Sequence, residues 1–357
     1  MRQLQDARGY REISTPIIVS KRLWEQSGHW ELYRENMFVI ESEGEEFSLK
    51  PMNCPESTVI YKSRTRSYRD LPLRLAEYGR LHRNELSGTL SGLTRVRHFI
   101  QDDGHIYVRP DQIESEIDAL LGEVATVYGW FALPVEFVFS TRPAKALGDP
   151  KLWEQAEAMI ESALKRSGAK WRLSQGDGAF YAPKIDIIVR DALGREWQTA
   201  TIQVDLAMLP ERFELEYVDE SGARVRPIAI HRAIYGSLER FIGILVEHYA
   251  GAFPFWLAPE QVVIIPITDR HLEAAQSGAA TLRAAGIRVS IDDSSNRMQN
   301  KIRLAQEQKV PLMLVLGDKE VEAGGASPRW RDGTQEPAQS WGELAAALAA
   351  RAASRGS

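Results

Sequence analysis

Cysteine occurs once in 357 residues, at Cys54. That excludes an intramolecular disulfide and any self-contained CxxC metal module. No run of eighteen apolar residues is present, and no basic-then-apolar leader opens the chain, so it reads as soluble, unprocessed and without membrane contact. Sparse cysteine fits a reducing cytoplasm, the expected location. Neither sign of charge dominates: 44 Lys and Arg stand against 49 Asp and Glu, a net −5. This excludes a protein that coats nucleic acid indiscriminately, and leaves room for a local basic surface that meets one RNA. Internal repeats and low-complexity tracts are missing too, apart from an Ala-rich C-terminus.

What is present is enough apolar residue, 44%, for a sizeable core, in a length that suits two domains. Tyr10 to Val19 reads as a strand interrupted at Pro16. Lys21 to Ser27 reads as a short helix. Phe38–Ile40 and Phe47–Lys50 read as strands around an acidic turn, and Ser57–Tyr68 has helical spacing. Leu73–Leu81 and Phe99–Val108 read as strands separated by a long polar loop, and Pro110-Asp111-Gln112 opens a helix over Ile113–Tyr128. Further strands are expected at Val135–Ser140, Ile185–Val189, Trp197–Leu206 and Phe213–Tyr217, with a helix at Ser237–Tyr249. Strands outnumber helices and do not alternate with them, which points to an antiparallel sheet with helices packed on it. The composition shifts at Trp256-Leu257-Ala258-Pro259. Beyond it strand and helix alternate: Val262–Ile267, Arg270–Ala285, Ile287–Ile291, Met298–Gln308, Pro311–Leu316 and Trp341–Ala353. The expectation is an α/β domain over residues 259–357, following a larger domain over 1–258.

Three groups of residues carry chemistry. A lone cysteine is most often a buried structural thiol. It can also be the soft ligand of a mixed site, and His105 and His231 are the candidate partners for Cys54. Three such ligands would leave an open position, the layout of a zinc that handles a substrate. The second group runs from Tyr78 to Tyr107 and includes Arg83-Asn84-Glu85, Arg95-Val96-Arg97 and Phe99. A strand, an arginine-bearing loop and a returning strand can clasp a polyphosphate, because guanidinium forks match phosphate oxygens; a solvated hairpin with surface arginines is the plainer reading. The third, His231 to Phe241, puts Gly236 at the mouth of a helix and Arg240 one turn in. It suits a nucleotide or an ordinary amphipathic helix.

The segments Lys50-Pro51-Met52-Asn53-Cys54-Pro55, Ser67-Tyr68-Arg69-Asp70-Leu71-Pro72, Arg83-Asn84-Glu85, Gln101-Asp102-Asp103, His231-Arg232-Ala233-Ile234 and Gly317-Asp318-Lys319-Glu320 occur in an order that resembles the threonyl-tRNA synthetases, a family of class II aminoacyl-tRNA synthetases. The likeness runs from Tyr10 to about Gly333. It implies an α+β fold: a class II antiparallel sheet with flanking helices, followed by a smaller α/β anticodon-binding domain. It implies a threonine–tRNA ligase that uses ATP, L-threonine and tRNA(Thr), with Mg2+ accompanying the ATP and one zinc per subunit on Cys54, His105 and His231. It also implies a homodimer with the strand around Pro16 at the contact.

By the same resemblance, Arg83 holds the α-phosphate, Glu85 reads the adenine, and Phe99 and Arg240 sandwich it. Arg95 takes the γ-phosphate and Gln198 lies near the ATP. Gln101, Asp103, Tyr181 and Gln203 line the amino-acid pocket, and Glu320 and Arg329 read the anticodon. Arg83 and Arg240 are the catalytic pair.

The sequence departs from the family at several of these places. Glu56-Ser57 stand where Gly-His is usual, Thr199-Ala200 where Cys-Gly is usual, and Ser91 and His98 replace a histidine and a glycine of the loop. Ser295 to Gln299 replaces Asn-Glu-Lys-Ile-Gly. Drift at tolerated sites explains this; so does a specialised paralogue, resistant to an inhibitor or biosynthetic, that activates threonine or a related β-hydroxy amino acid, with or without tRNA charging. The N-terminal editing region of bacterial relatives is expected to be lacking.

Overall fold

The computed structural model describes residues 1–206 and 208–355. It divides into two compact units, Met1–Ile244 and Leu245–Ser357.

The first unit opens with helix α1 (Arg2–Ala7) and strand β1 (Arg11–Glu12). A three-stranded sheet follows, β2 (Ile18–Ser20), β3 (Val39–Ser42) and β4 (Glu45–Leu49), in the order β2-β4-β3, with helices α2 (Lys21–Ser27) and α3 (His29–Leu32) between its first two strands. Helix α4 (Cys54–Lys62) then leads to the long antiparallel pair β5 (Leu73–His82) and β6 (His98–Val108). Next come α5 (Ile113–Trp130), β7 (Val135–Ser140), α6 (Pro150–Ser167), β8 (Trp171–Ser174), β9 (Lys184–Arg190) and β10 (Glu196–Asp205). A short helix α7 (Leu209–Arg212) and a small hairpin, β11 (Tyr217–Val218) with β12 (Arg224–Val225), precede β13 (Ile228–Ser237), which runs into α8 (Leu238–His248). The large sheet has the order β1-β5-β6-β13-β10-β9-β7-β8 and is antiparallel except at its two outermost pairings. Ile113, Ile117, Leu120, Val124 and Val127 recur at helical spacing along α5, and all are buried.

In the second unit β14 (Val262–Pro266), β15 (Val289–Ile291), β16 (Leu312–Leu316), β17 (Gly325–Trp330) and β18 (Gln339–Ser340) form a sheet of order β15-β14-β16-β17-β18. Side chains alternate across a strand, and β14 shows it. Val262 and Ile264 pack with Ala275, Ala279 and Leu282 of α9 (Leu272–Ala284) and Leu344 and Leu348 of α12 (Trp341–Ser354). Val263 and Ile265 pack with Ile302 and Ala305 of α10 (Met298–Glu307) on the opposite face.

Several expectations need correction. Phe213–Tyr217 is not a strand: Phe213 and Leu215 plug a core with Tyr61 and Met208, and only Tyr217 enters a two-residue strand. The helix expected over Ser57–Tyr68 begins at Cys54 and stops at Lys62. Pro55 is tolerated in its first turn because that N–H has no partner within the helix. The sheet of the second unit is mixed, since β17 runs antiparallel to β16. The sequence reading also passed over β13 and α6. The latter carries its own start signal, Asp149 accepting from the Lys151 amide ahead of Pro150.

Gly278 in α9 tests the second unit's packing. An alanine there would gain up to about 1 kcal/mol in helix propensity, but its Cβ would lie 2.3 Å from the Trp341 ring. Overpacking of that severity costs about 1–3 kcal/mol, so Gly278→Ala is expected to lower the midpoint of the second unit's urea transition. A raised midpoint would show that Trp341 gives way freely.

Candidate functional site

Strand register assembles the site. β13 pairs His231 with His105 and Ala233 with Asp103 of β6, and on its other side pairs His231 with Gln203 of β10. Residues directly opposite each other share a face, and so do residues two apart. Gln101, Asp103, His105, Thr201, Gln203, Asp205 and His231 therefore all project from one side of the sheet. Cys54, the first residue of α4, comes to that side from outside the large sheet.

Cys54, His105 and His231 are all buried, and their ligand atoms lie within 4.8 Å of one another. Among the described residues, His105 Nε2 and His231 Nδ1 have no hydrogen-bond partner, while His231 Nε2 lies 3.2 Å from Asp205 Oδ2. Burial pushes the Cys54 thiol pKa up and the His105 pKa down. Burial thus favours the neutral thiol and the neutral His105 ring, and a cation held there would cost the thiol its proton. Two buried imidazole nitrogens without partners beside a thiol fit a borderline-soft ion such as zinc.

Two clefts meet beside this cluster. One, of about 830 Å³, is lined by Met52, Cys54, Asp103, Tyr181, Gln203 and His231. Tyr181 donates to Gln203 Oε1, Gln203 donates to Thr201, and Asn53 donates to Asp103. Burial raises the Asp103 pKa, offset by the Asn53 hydrogen bond. The other cleft, about 840 Å³, is lined by Arg83, Glu85, Arg95, Phe99, Gln198 and Arg240. Arg83, Gln101, Thr201 and Gln203 line both. The Arg83 guanidinium lies 5.0 Å from the centre of the Phe99 ring and donates to the Pro51 carbonyl. Arg240 donates to the carbonyls of Thr94 and Gln198, which fixes it at the cleft wall. Arg95 and Glu85 form an ion pair at 3.3 Å. Arg95 is half exposed, so this pair contributes little and is broken at little cost.

The departures from the family pattern fall close by. Ala200 is 1% exposed and lines the arginine cleft, opposite a β10 irregularity between Gln198 and Ala200. The Thr199 hydroxyl is hydrogen-bonded to the Tyr128 hydroxyl at 2.6 Å. Glu56 is buried with both carboxyl oxygens unpartnered among the described residues, and burial raises its pKa to about 8. Ser57 bonds the Cys54 carbonyl and the Tyr107 hydroxyl. His98 stacks against His82 with ring centres 4.8 Å apart. In the second unit, Glu320 accepts from the Gly317 amide and Ser327, and Arg329 sits on β17 opposite Met313 with its Nε buried and unpaired. Ser295 to Gln299 leads into α10 and forms its start.

The sequence reading did not single out Asp205. Its signal was position alone: it stands two residues beyond Gln203 and so points to the same face.

Residues 38–249 match the tRNA synthetase class II core domain (G, H, P, S and T), and residues 261–351 match an anticodon binding domain. The chain therefore belongs to the class II tRNA synthetases. It is 56% identical to a threonine–tRNA ligase of Symbiobacterium thermophilum over 92% of this chain and 50% of that protein. It is 52% identical to one from Anaeromyxobacter dehalogenans over 97% of this chain and 55% of that protein. A crystal structure described as the RNA binding domain of threonyl-tRNA synthetase from Cryptosporidium parvum superposes with a TM-score of 0.94 at 42% identity, covering 98% of this chain and 88% of that one. Within the class, the chain is a member of the threonyl-tRNA synthetase family. It spans about half the length of the curated relatives it matches.

Metal analysis of the purified chain is expected to find about one divalent ion per molecule, and Cys54→Ser to lose it, since a serine hydroxyl is a poor substitute for a thiolate. Equal metal content in both proteins would remove the thiol from the site.

Proposed function

We propose that this chain activates L-threonine with ATP and transfers it to tRNA(Thr). The observation that carries the reading is the shared wall of the two clefts. A carboxylate held in the Asp103–Tyr181–Gln203 cleft and a triphosphate held in the arginine cleft must meet beside Arg83. Arg83 there neutralises the charge that develops on the α-phosphate as the carboxylate attacks it. Such chemistry depends on positioning and fixed positive charge more than on covalent help. Arg95 takes the far phosphate, with Mg2+ accompanying the ATP. Phe99 and Arg240 offer the two faces between which a base can lie, and Glu85 the acceptor for its amino group. Gln198 stands near the nucleotide, beside Arg240.

Zinc, when held by Cys54, His105 and His231, supplies a Lewis acid with positions open to the amine and hydroxyl of the substrate. Asp103 offers an anionic partner for the ammonium group, and Gln101, Tyr181 and Gln203 offer neutral polar partners. A substrate without the hydroxyl leaves buried polar groups unpaired. Residues 1–258 form the catalytic domain in this reading. Residues 259–357 form the anticodon-binding domain, with Glu320 and Arg329 at the anticodon. The molecule works as a homodimer in the cytoplasm, and the exposed Ile18 and Val39 of the small sheet, with Ile17 just before it, suit the contact near Pro16.

The buried carboxyl of Glu56 and the Ala200 methyl in the arginine cleft favour a second reading. In it, the chain is a specialised paralogue with altered inhibitor sensitivity or a related β-hydroxy amino acid as substrate.

ATP–pyrophosphate exchange separates these. Threonine is expected to support exchange, with serine weaker by about 10–200-fold for one missing methyl and valine by about 10⁴-fold for the missing hydroxyl. Arg83→Ala is expected to lower threonine-dependent exchange by about 10²–10³-fold. Charging of tRNA(Thr) then decides the rest. Brisk exchange with no charging would reject the ligase in favour of the paralogue.

A further inference from the structure

The carboxylate of Asp205 lies beneath the metal cluster and outside the roles assigned so far. Its side chain is fully buried. Oδ1 accepts the Met208 amide at 2.7 Å, and Oδ2 accepts the Leu209 amide at 3.0 Å. These two amides anchor it at the entry to α7, so it cannot follow a moving imidazole. Oδ2 also meets His231 Nε2 at 3.2 Å. A neutral imidazole carries its proton on one nitrogen only, and the hydrogen bond made by that nitrogen decides which. A carboxylate that already receives two amides is an acceptor, so Nε2 is the donor. His231 Nδ1, buried and without a partner among the described residues, is then bare.

We propose that Asp205 is a positioning residue for the ion: it selects the His231 tautomer whose Nδ1 lone pair ligates and holds the ring in place. The proposal rests on the metal reading given above. It extends that reading to a fourth residue, on β10, that touches neither metal nor substrate. Outer partners of this type orient the ring and raise its basicity, and their loss commonly costs 10–100-fold in metal affinity.

Asparagine is the informative substitution because it keeps the shape and loses one acceptor. With its NH2 in the place of Oδ2 it confronts both the Leu209 amide and His231 Nε2–H, and drives the proton to Nδ1. With its NH2 in the place of Oδ1 it confronts the Met208 amide instead. Either way one contact fails.

The test titrates full-length apoprotein with Zn2+ against a competing chromophoric chelator, for wild type, Asp205→Asn and Cys54→Ser. Expected are tight binding by wild type, loss in C54S, and affinity 10–100-fold weaker in D205N. With Co2+, D205N should keep the thiolate charge-transfer band while its ligand-field bands shift. A capping role alone would lower the apoprotein's unfolding midpoint and leave Zn2+ affinity and the Co2+ spectrum unchanged, which overturns the proposal. Absence of Zn2+ binding in wild type overturns the metal reading and this proposal with it. Normal binding in both wild type and D205N overturns only the role of Asp205. If D205N does not fold, long-range 1H–15N spectra of the wild-type apoprotein decide: a proton on His231 Nε2 supports the proposal, and one on Nδ1 refutes it.

Discussion

Asp102 accepts three successive backbone amides, those of Ile234, Tyr235 and Gly236, from a position with no exposure to solvent. Burial pushes its pKa up to about 7, and the Arg232 guanidinium and the three amides favour the charged form against that. Arg232 is itself fully buried. It donates to the Asp102 carbonyl, packs at 4.7 Å over the Tyr10 ring, and lies so close to Gly104 that a Cβ there would be 2.7 Å from its Nε. Removing one member of such a set strands a buried charge, at about 3–5 kcal/mol. The arrangement is therefore tightly specified. Its consequence is local: the β13–β6 register, regular from Ile228 to Ala233, breaks before Ser237. The strand bulges where Asp102 captures it, and Gly236 takes φ +69° with its Cβ position 2.0 Å from the Thr199 carbonyl. Only glycine fits there. The regular half of the ladder aligns His105 with His231, and the bulged half brings Gly236 and Ser237 to the arginine cleft. One carboxylate thus separates the stretch of β13 that carries His231 from the stretch that lines the arginine cleft.

This division explains what could be read from the sequence. Val135–Ser140 and Lys21–Ser27 were legible to the residue because their patterns serve packing alone. β13 was not. Its run Ile228-Ala229-Ile230-His231-Arg232-Ala233 carries an imidazole and a guanidinium where a central strand usually carries hydrocarbon. Both are there for the site and the Asp102 network rather than for the core. The polar residues that made the strand unrecognisable are the ones that made the site recognisable. Cys54, His105 and His231 could be nominated by residue type, yet no spacing relates positions on three separate elements. Their proximity is a property of strand register and of where α4 begins. Asp205 lay one step further out of reach, since a carboxylate is informative only once its neighbour across the fold is known.

The departures from the family pattern belong in the same physical frame. Thr199 fills its place with a hydroxyl hydrogen-bonded to that of Tyr128, whose single proton goes to the Ile234 carbonyl. That hydrogen bonding ties the irregular turn of β10 to the bulge of β13, so a change at 199 is transmitted to the floor of the arginine cleft. Glu56 is different. Its oxygens have no hydrogen-bond partner among the described residues, and burial raises its pKa to about 8, which favours the protonated form. A protonated carboxyl in that position is a neutral polar group two residues from Cys54, and its ionisation would add a negative charge near Asp103 and the thiol, raising the pKa of each further. Burial thus raises the pKa of Cys54, Glu56 and Asp103 together and lowers that of His105. A positive charge brought among them would favour the ionised form of each of these three acids, because an opposite charge nearby lowers a carboxyl or thiol pKa.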